Sequence, residues 1–170
     1  STDPIPLKSL EPLLDAFPQL QNKLTLEDGT GKVTDAKIWK SDGAVAYRVT
    51  GSFNHAALSY DNYVLADGVA FFNIENGLVS LSQVSGTVNG QKLSGEVTVD
   101  ANGDSPVFDG NVFLHQVDLT ALLPEEGISG ILDGNVNFSG TTDDPSISGA
   151  LTGKRLSYEG YDVERAKAVF

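Results

Sequence analysis

Apolar and polar residues alternate one for one over long stretches of this chain, and a period of two fits only extended strands with one wet face. The pattern is cleanest where Leu132, Val136 and Phe138 face one way and Asp133, Asn135 and Asn137 the other. Leu93, Val97 and Val99 repeat it against Ser94, Glu96 and Thr98, and Ile147 with Leu151 repeats it against Ser148 and Thr152. Between such runs stand Asp28-Gly29, Asp42-Gly43, Asn76-Gly77, Asn89-Gly90 and Asn102-Gly103. These pairs tolerate positive φ and so close hairpins.

Extended runs are predicted at 23–27, 32–39, 45–50, 53–60, 63–65, 69–75, 78–82, 83–88, 91–100, 107–118, 128–139, 146–151, 156–158 and 162–169. Joined in order by short turns, they make an antiparallel meander, and the fold class is all-β. One segment departs from it. Leu7, Leu10, Leu14 and Phe17 recur at three- and four-residue spacing, with Ser9 as a first-turn cap and Pro18 as a stop, which predicts one short N-terminal helix over 8–17. The chain thus reads as a single unit with an N-terminal helical segment, 1–22, and antiparallel β repeats, 23–170.

A long antiparallel ribbon with one apolar face has to hide that face. It can roll into a barrel, stack a second sheet, or fold lengthwise into a groove, and the pattern alone leaves the three open. Small residues stand between the large ones on the apolar face: Gly134 between Leu132 and Val136, Gly149 between Ile147 and Leu151. Glycine there leaves room for close approach, a bend or a guest.

The residues offer little chemistry. Cysteine is absent, which removes disulfides, thiolate metal sites and cysteine nucleophiles. The net charge of -12 is spread along the chain and repels nucleic acid and anionic bilayers. His55 and His115 lack a second ligand at metal-binding spacing. Asp100-Ala-Asn-Gly-Asp104 opens like a calcium loop, but Ser105 and Pro106 follow it and Asn111 stands where the bidentate glutamate belongs. There is no Gly-x-Ser-x-Gly elbow, phosphate loop or dinucleotide fingerprint. The chain reads as a non-enzyme with no cofactor and no metal. Trp39, Tyr60, Tyr63, Tyr158 and Tyr161 would suit either strand packing or a sugar-binding platform. No apolar stretch reaches the length of a membrane helix, and the lack of Met at position 1 reads as a piece of a longer product.

The segment Gly130-Ile-Leu-Asp-Gly-Asn-Val-Asn-Phe-Ser-Gly-Thr-Thr-Asp-Asp-Pro-Ser-Ile-Ser-Gly-Ala-Leu151 is a Gly-x-Leu-x-Gly strand, then Phe-Ser-Gly-Thr, a proline turn and a strand opening Ile-Ser-Gly. It resembles the repeats of the translocation and assembly module family, TamB, and more loosely those of AsmA-like proteins. Leu156-Ser-Tyr-Glu-Gly-Tyr-Asp-Val-Glu-Arg-Ala looks like the strand pair that follows, and Phe72 to Leu81 with Val84 to Glu96 is similar in style. The resemblance covers about residues 69–170 and rests on glycine and alternation pattern.

It implies a meander curled into a taco-like groove with an apolar interior, in a periplasmic protein anchored in the inner membrane. The implied function is phospholipid transport between the membranes of diderm bacteria, with a role in outer-membrane protein assembly beside an outer-membrane assembly barrel. The implied groove lining is Leu93, Val97, Val99, Leu132, Val136, Phe138, Ile147 and Leu151. A sheet cut from such a repeat would also expose an edge strand at 166–170 able to pair between chains. From a different class stands a non-enzymatic sandwich or barrel module that binds glycan or protein.

Overall fold

The computed structural model describes residues 3–9, 24–41, 43–60, 63–103, 105–141 and 143–170. The strands are β1 (Ile5–Pro6), β2 (Leu24–Ser41), β3 (Ala44–Tyr60), β4 (Tyr63–Glu75), β5 (Leu78–Val88), β6 (Gln91–Asp100), β7 (Val107–Asp118), β8 (Ile128–Gly140), β9 (Pro145–Tyr158) and β10 (Tyr161–Val169). A short helix, α1 (Leu119–Leu122), sits between β7 and β8. All ten strands lie in one sheet whose spatial order is the sequence order, and every neighbouring pair is antiparallel. The sheet is open: β1 and β10 form its two outer sides, so neither a barrel nor a second sheet hides the apolar face.

The strands are fewer and longer than the alternation predicts. The runs 23–27 and 32–39 join in β2, 45–50 and 53–60 in β3, 63–65 and 69–75 in β4, and 78–82 and 83–88 in β5. What reads as a break is a bulge. Gly29 (φ 116°), His55 (51°), Asp67 (52°), Gln83 (50°) and Gln116 (51°) each stand beside a shift in strand register. Asp28-Gly29 therefore bends a strand instead of closing a hairpin. Left-handed backbone costs a non-glycine residue about 1 kcal/mol. In return each bulge adds an unpaired residue that bends and twists its strand. Repeated from strand to strand, the bulges curl the sheet lengthwise into a trough.

Of the expected N-terminal helix, residues 7–9 form a single 3₁₀ turn, with the Ser9 hydroxyl donating to the Pro6 carbonyl at 2.6 Å. Residues 10–17 lie outside the described residues.

Two Asn-Gly pairs do close hairpins, with positive φ at both residues: Asn76 (47°) with Gly77 (84°), and Asn89 (48°) with Gly90 (77°). Each asparagine also reaches the strand before its own hairpin. The Tyr47 N–H donates to Asn76 Oδ1 at 2.8 Å, and the Val64 N–H donates to Asn89 Oδ1 at 3.0 Å. Asn89 Nδ2 donates in turn to the Leu122 carbonyl at 3.3 Å, tying the β5–β6 turn to α1. Asn89→Ala loses both side-chain bonds and leaves an alanine in left-handed backbone, so a cost of about 2 kcal/mol is expected in urea unfolding. Asn102→Ala, whose side-chain amide bonds only Asp100 in its own turn, is expected to cost under about 0.5 kcal/mol.

Little of the chain is fully enclosed. Among the described residues the buried apolar side chains are Leu7, Leu26, Ala46, Ala56, Ala70, Phe72, Val117 and Leu119, five glycines are buried beside them, and no polar or charged residue is buried. Most other apolar residues of the inner face are half-buried, with no second layer among the described residues over them.

Candidate functional site

Directly paired residues on neighbouring strands point to the same side of a sheet, so the register assigns the faces. One row across the sheet runs Val33, Gly51, Phe72, Leu81, Val97, Gly110, Phe138, Ile147. A second runs Val84, Gly95, Val112, Val136, Gly149, and a third Gly86, Leu93, Leu114, Gly134, Leu151. The opposite face carries rows such as Ser80, Thr98, Asp109, Ser139, Ser146. One side of the sheet is thus apolar from β2 to β9 and the other polar.

Along the apolar rows, large side chains lie on glycines of the adjacent strand. A Cβ built on Gly51 would collide with the Phe72 ring and the Lys32 carbonyl. A Cβ on Gly110 would sit 2.6 Å from Phe138 Cζ and 2.6 Å from the Glu96 carbonyl oxygen. Gly134 and Gly149, expected to leave room for close approach, a bend or a guest, allow close approach in the same way, by Leu151 (Cδ2 at 3.0 Å) and Phe170 (Cζ at 3.1 Å). The rings lie down on the sheet instead of standing up from it, and this keeps the trough floor low.

Above that floor is an apolar groove of about 440 Å³ crossing the strands from β2 to β8. At one end it is walled by Leu7, Leu26, Phe53 and Leu58, and further along by Leu81, Leu93, Val97, Val112 and Phe138. Its volume lies in the range of small-molecule sites. Glu96, the one charged residue among the described residues at its wall, belongs to the polar face and accepts a hydrogen bond from Asn111 Nδ2 at 3.0 Å. The β7–β8 connection lies along the rim of the trough, at the ends of the strands. There Leu119 is 5% exposed and Val117 1%, and the Asp118 N–H donates to Gln91 Oε1 at 2.9 Å.

All eight residues expected to line a groove fall on the apolar face by register, Leu132 opposite Gly153 and Val99 opposite Phe108 among them. Leu93, Val97 and Phe138 wall the enclosed part. Val99, Leu132, Val136, Ile147 and Leu151 lie on the open continuation, where Ile147 is 59% exposed. The lining from the first half of the chain, Leu26, Phe53, Leu58 and Leu65, escapes a period-two reading because bulges reset the alternation.

The polar residues singled out in the sequence build no reaction centre among the described residues. His55 Nδ1 lies 3.9 Å from Asp67 Oδ1, both fully at the surface on neighbouring bulges. His115 shares the polar face with Phe113 but not with Val117, which the bulge at Gln116 turns inward. Asp100 accepts from the backbone and side chain of Asn102, a local turn, and Asp104 lies outside the described residues. No group of three potential metal ligands occurs among the described residues. Of the aromatic candidates, Tyr158 pairs with Tyr161 at the β9–β10 turn, whereas Trp39 lies far across the sheet on β2 and shares no platform with them. The Tyr60 side chain lies outside the described residues.

Asp133 pins the β7 bulge from the next strand. Its Oδ1 accepts from the Gln116 N–H at 2.9 Å, His115 Nδ1 is 3.4 Å away, and Lys154 Nζ bonds its Oδ2 at 3.3 Å. The Gln116 N–H chiefly, with Lys154 and His115 adding, holds its carboxyl below the ordinary 3.8. A lowered carboxylate pKa stabilises the fold above 3.8, and that contribution is lost as pH falls through the lower folded value. Asp133→Asn is therefore expected to melt earlier than the parent at neutral pH, with the two melting curves converging only below pH 3.8.

No protein-family model matches the chain, and neither a curated protein nor a solved structure does.

Proposed function

We propose that the groove takes up the acyl chains of phospholipid and lets them slide across successive strands, as one segment of a bridge-like periplasmic transport protein linking inner and outer membranes. The observation that carries this reading is an apolar face, continuous over the sheet, that no second layer among the described residues covers. Apolar surface left open in this way marks a partner or a ligand. Each CH₂ moved from water onto such a face gains about 0.8 kcal/mol, and rows of similar residues offer equal sites without a deep trap. Ten strands at about 4.8 Å spacing give a trough of roughly 43 Å, longer than the ~15 Å that one leaflet's chains span. With no buried charge among the described residues of the wall, the headgroup is left to water at the open side. A longer protein of this kind could hand its cargo to an outer-membrane assembly barrel.

Incubation with vesicles containing a fluorescent phospholipid tests the proposal. The protein is expected to leave the vesicles carrying label, and a soluble phosphocholine headgroup is expected not to compete. Failure to extract any label, or displacement by the headgroup alone, contradicts it. No helix among the described residues is long and apolar enough to cross a membrane.

A further inference from the structure

We propose that the β2–β3 hairpin is a membrane-contact tip: it dips into the boundary between headgroups and acyl chains of an anionic bilayer. The contact stands on the hairpin's own chemistry. Only its use as an entry to the trough rests on the lipid reading.

The hairpin outruns the sheet it belongs to. Pairing between β3 and β4 ends at Arg48 with Glu75, whereas β2 and β3 continue through Ile38 with Tyr47, Trp39 with Ala46, Lys40 with Val45 and Ser41 with Ala44. Tyr47 is held by the neighbouring β4–β5 turn: its N–H donates to Asn76 Oδ1 at 2.8 Å, and its hydroxyl accepts from the Gly77 N–H at 3.1 Å. The three rungs beyond it, at about 3.4 Å each, project roughly 10 Å past that turn. Both registers that set this projection are internal to the sheet.

Directly paired residues share a side, so Tyr47, Ile38 and Val45 carry the apolar face outward from Ile74 and Val49, while Trp39 with Ala46 lies on the other side. Large apolar side chains thus stand on both faces of the hairpin. Ile38 is 80% exposed and Val45 68%, and Trp39 and Tyr47 are also exposed. A single exposed apolar residue is ordinary. Four together at a projecting end mark a contact.

Charge and size choose the occupant. Residues 32–48 hold Lys32, Lys37, Lys40 and Arg48 against Asp35 and Asp42, a net +2, which leaves -14 on the rest of the chain. Lys37 lies 3.4 Å from Asp35, and Arg48 is 2.8 Å from Glu75. An anionic bilayer attracts this end and repels the remainder, which orients the chain tip-first. Tryptophan and tyrosine settle at headgroup level, and lysines beside them extend to the phosphates. The ~5–10 Å that interfacial elements sink into a bilayer matches the projection. A stable protein interface asks for roughly 800 Å² on each side, more than this narrow tip offers. With the tip inserted, the apolar face running from Val45 through Val49 and Ile74 would join the bilayer to the groove.

Trp39 is the chain's single tryptophan and reports on the contact directly. Vesicles of phosphatidylcholine with phosphatidylglycerol are expected to blue-shift its emission, and phospholipids brominated on their acyl chains are expected to quench it. Ile38→Asp/Val45→Asp is expected to bind these vesicles at least about tenfold more weakly. Lys37→Glu/Lys40→Glu is expected to lose the preference for them over pure phosphatidylcholine. All four side chains are exposed, so each variant should keep its circular dichroism spectrum. Should the first lose β content, Ile38→Ser/Val45→Ser repeats the test. Leu93→Asp/Val97→Asp, altered only in the groove, is expected to keep the Trp39 response, which separates this contact from lipid uptake. Emission that vesicles leave unmoved, a tip variant that binds like the parent, or a response lost in the groove variant would each overturn the proposal.

Discussion

Phe72→Ala is expected to cost about 3–4 kcal/mol, the largest effect of any single truncation in the sheet. Phe72 is 9% exposed, its ring covers Gly51, and its centroid lies 4.9 Å from that of Phe53 in a tilted pair. Removing it uncovers the backbone of β3, leaves a void beside Phe53 and loses an aromatic pair worth about 1 kcal/mol beyond its area. So few side chains are buried that the fold has little else to draw on. Gly51→Val should be no milder, since its Cβ would run into the Lys32 carbonyl as well as the ring. Both are read by urea unfolding followed by circular dichroism. A loss under about 1 kcal/mol for Phe72→Ala would mean that the ring-on-glycine contact does not hold the floor of the trough together.

The second large effect concerns the cargo. Leu93→Asp with Val97→Asp is expected to abolish phospholipid binding while sparing the fold. Both side chains wall the groove, both are half-buried, and neither belongs to the buried core. In the empty groove the new carboxylates stay hydrated, so the cost to stability should be modest, about 1–2 kcal/mol. With an acyl chain laid over them they would lose that hydration with no cation in reach, a penalty of several kcal/mol. The same substitutions therefore weigh far more on lipid binding than on folding. Ser94→Asp, on the polar face between them in sequence, should leave binding unchanged.

The two substitutions also mark how far the chain could be read before its fold was known. The alternation at Leu93, Val97 and Val99, and again at Leu132, Val136 and Phe138, needs only a period of two, and those residues do share one face. The Asn76-Gly77 and Asn89-Gly90 hairpins were equally legible, since both residues of such a turn need positive φ. Bulges were not. Gln83 has no residue-type signature for left-handed backbone, and the preference of His and Asp for it is too weak to mark His55 and Asp67 within a strand, so single long strands look like pairs of short ones. Contacts between a ring and a glycine were hidden for another reason. Gly51 and Phe72 meet only through the β3–β4 register, which the cumulative bulges set. The choice of an open trough over a barrel or sandwich likewise came from the resemblance to TamB-like repeats, because an apolar face by itself does not say how it is hidden.

Native mass spectrometry of the purified protein after gentle exposure to phospholipid tests the lipid-conducting groove most directly, with the Leu93→Asp/Val97→Asp variant measured beside it. The account predicts phospholipid adducts on the parent that vanish in the variant, with β content by circular dichroism unchanged. A parent that carries no adduct, or a folded variant that carries as many as the parent, would contradict it.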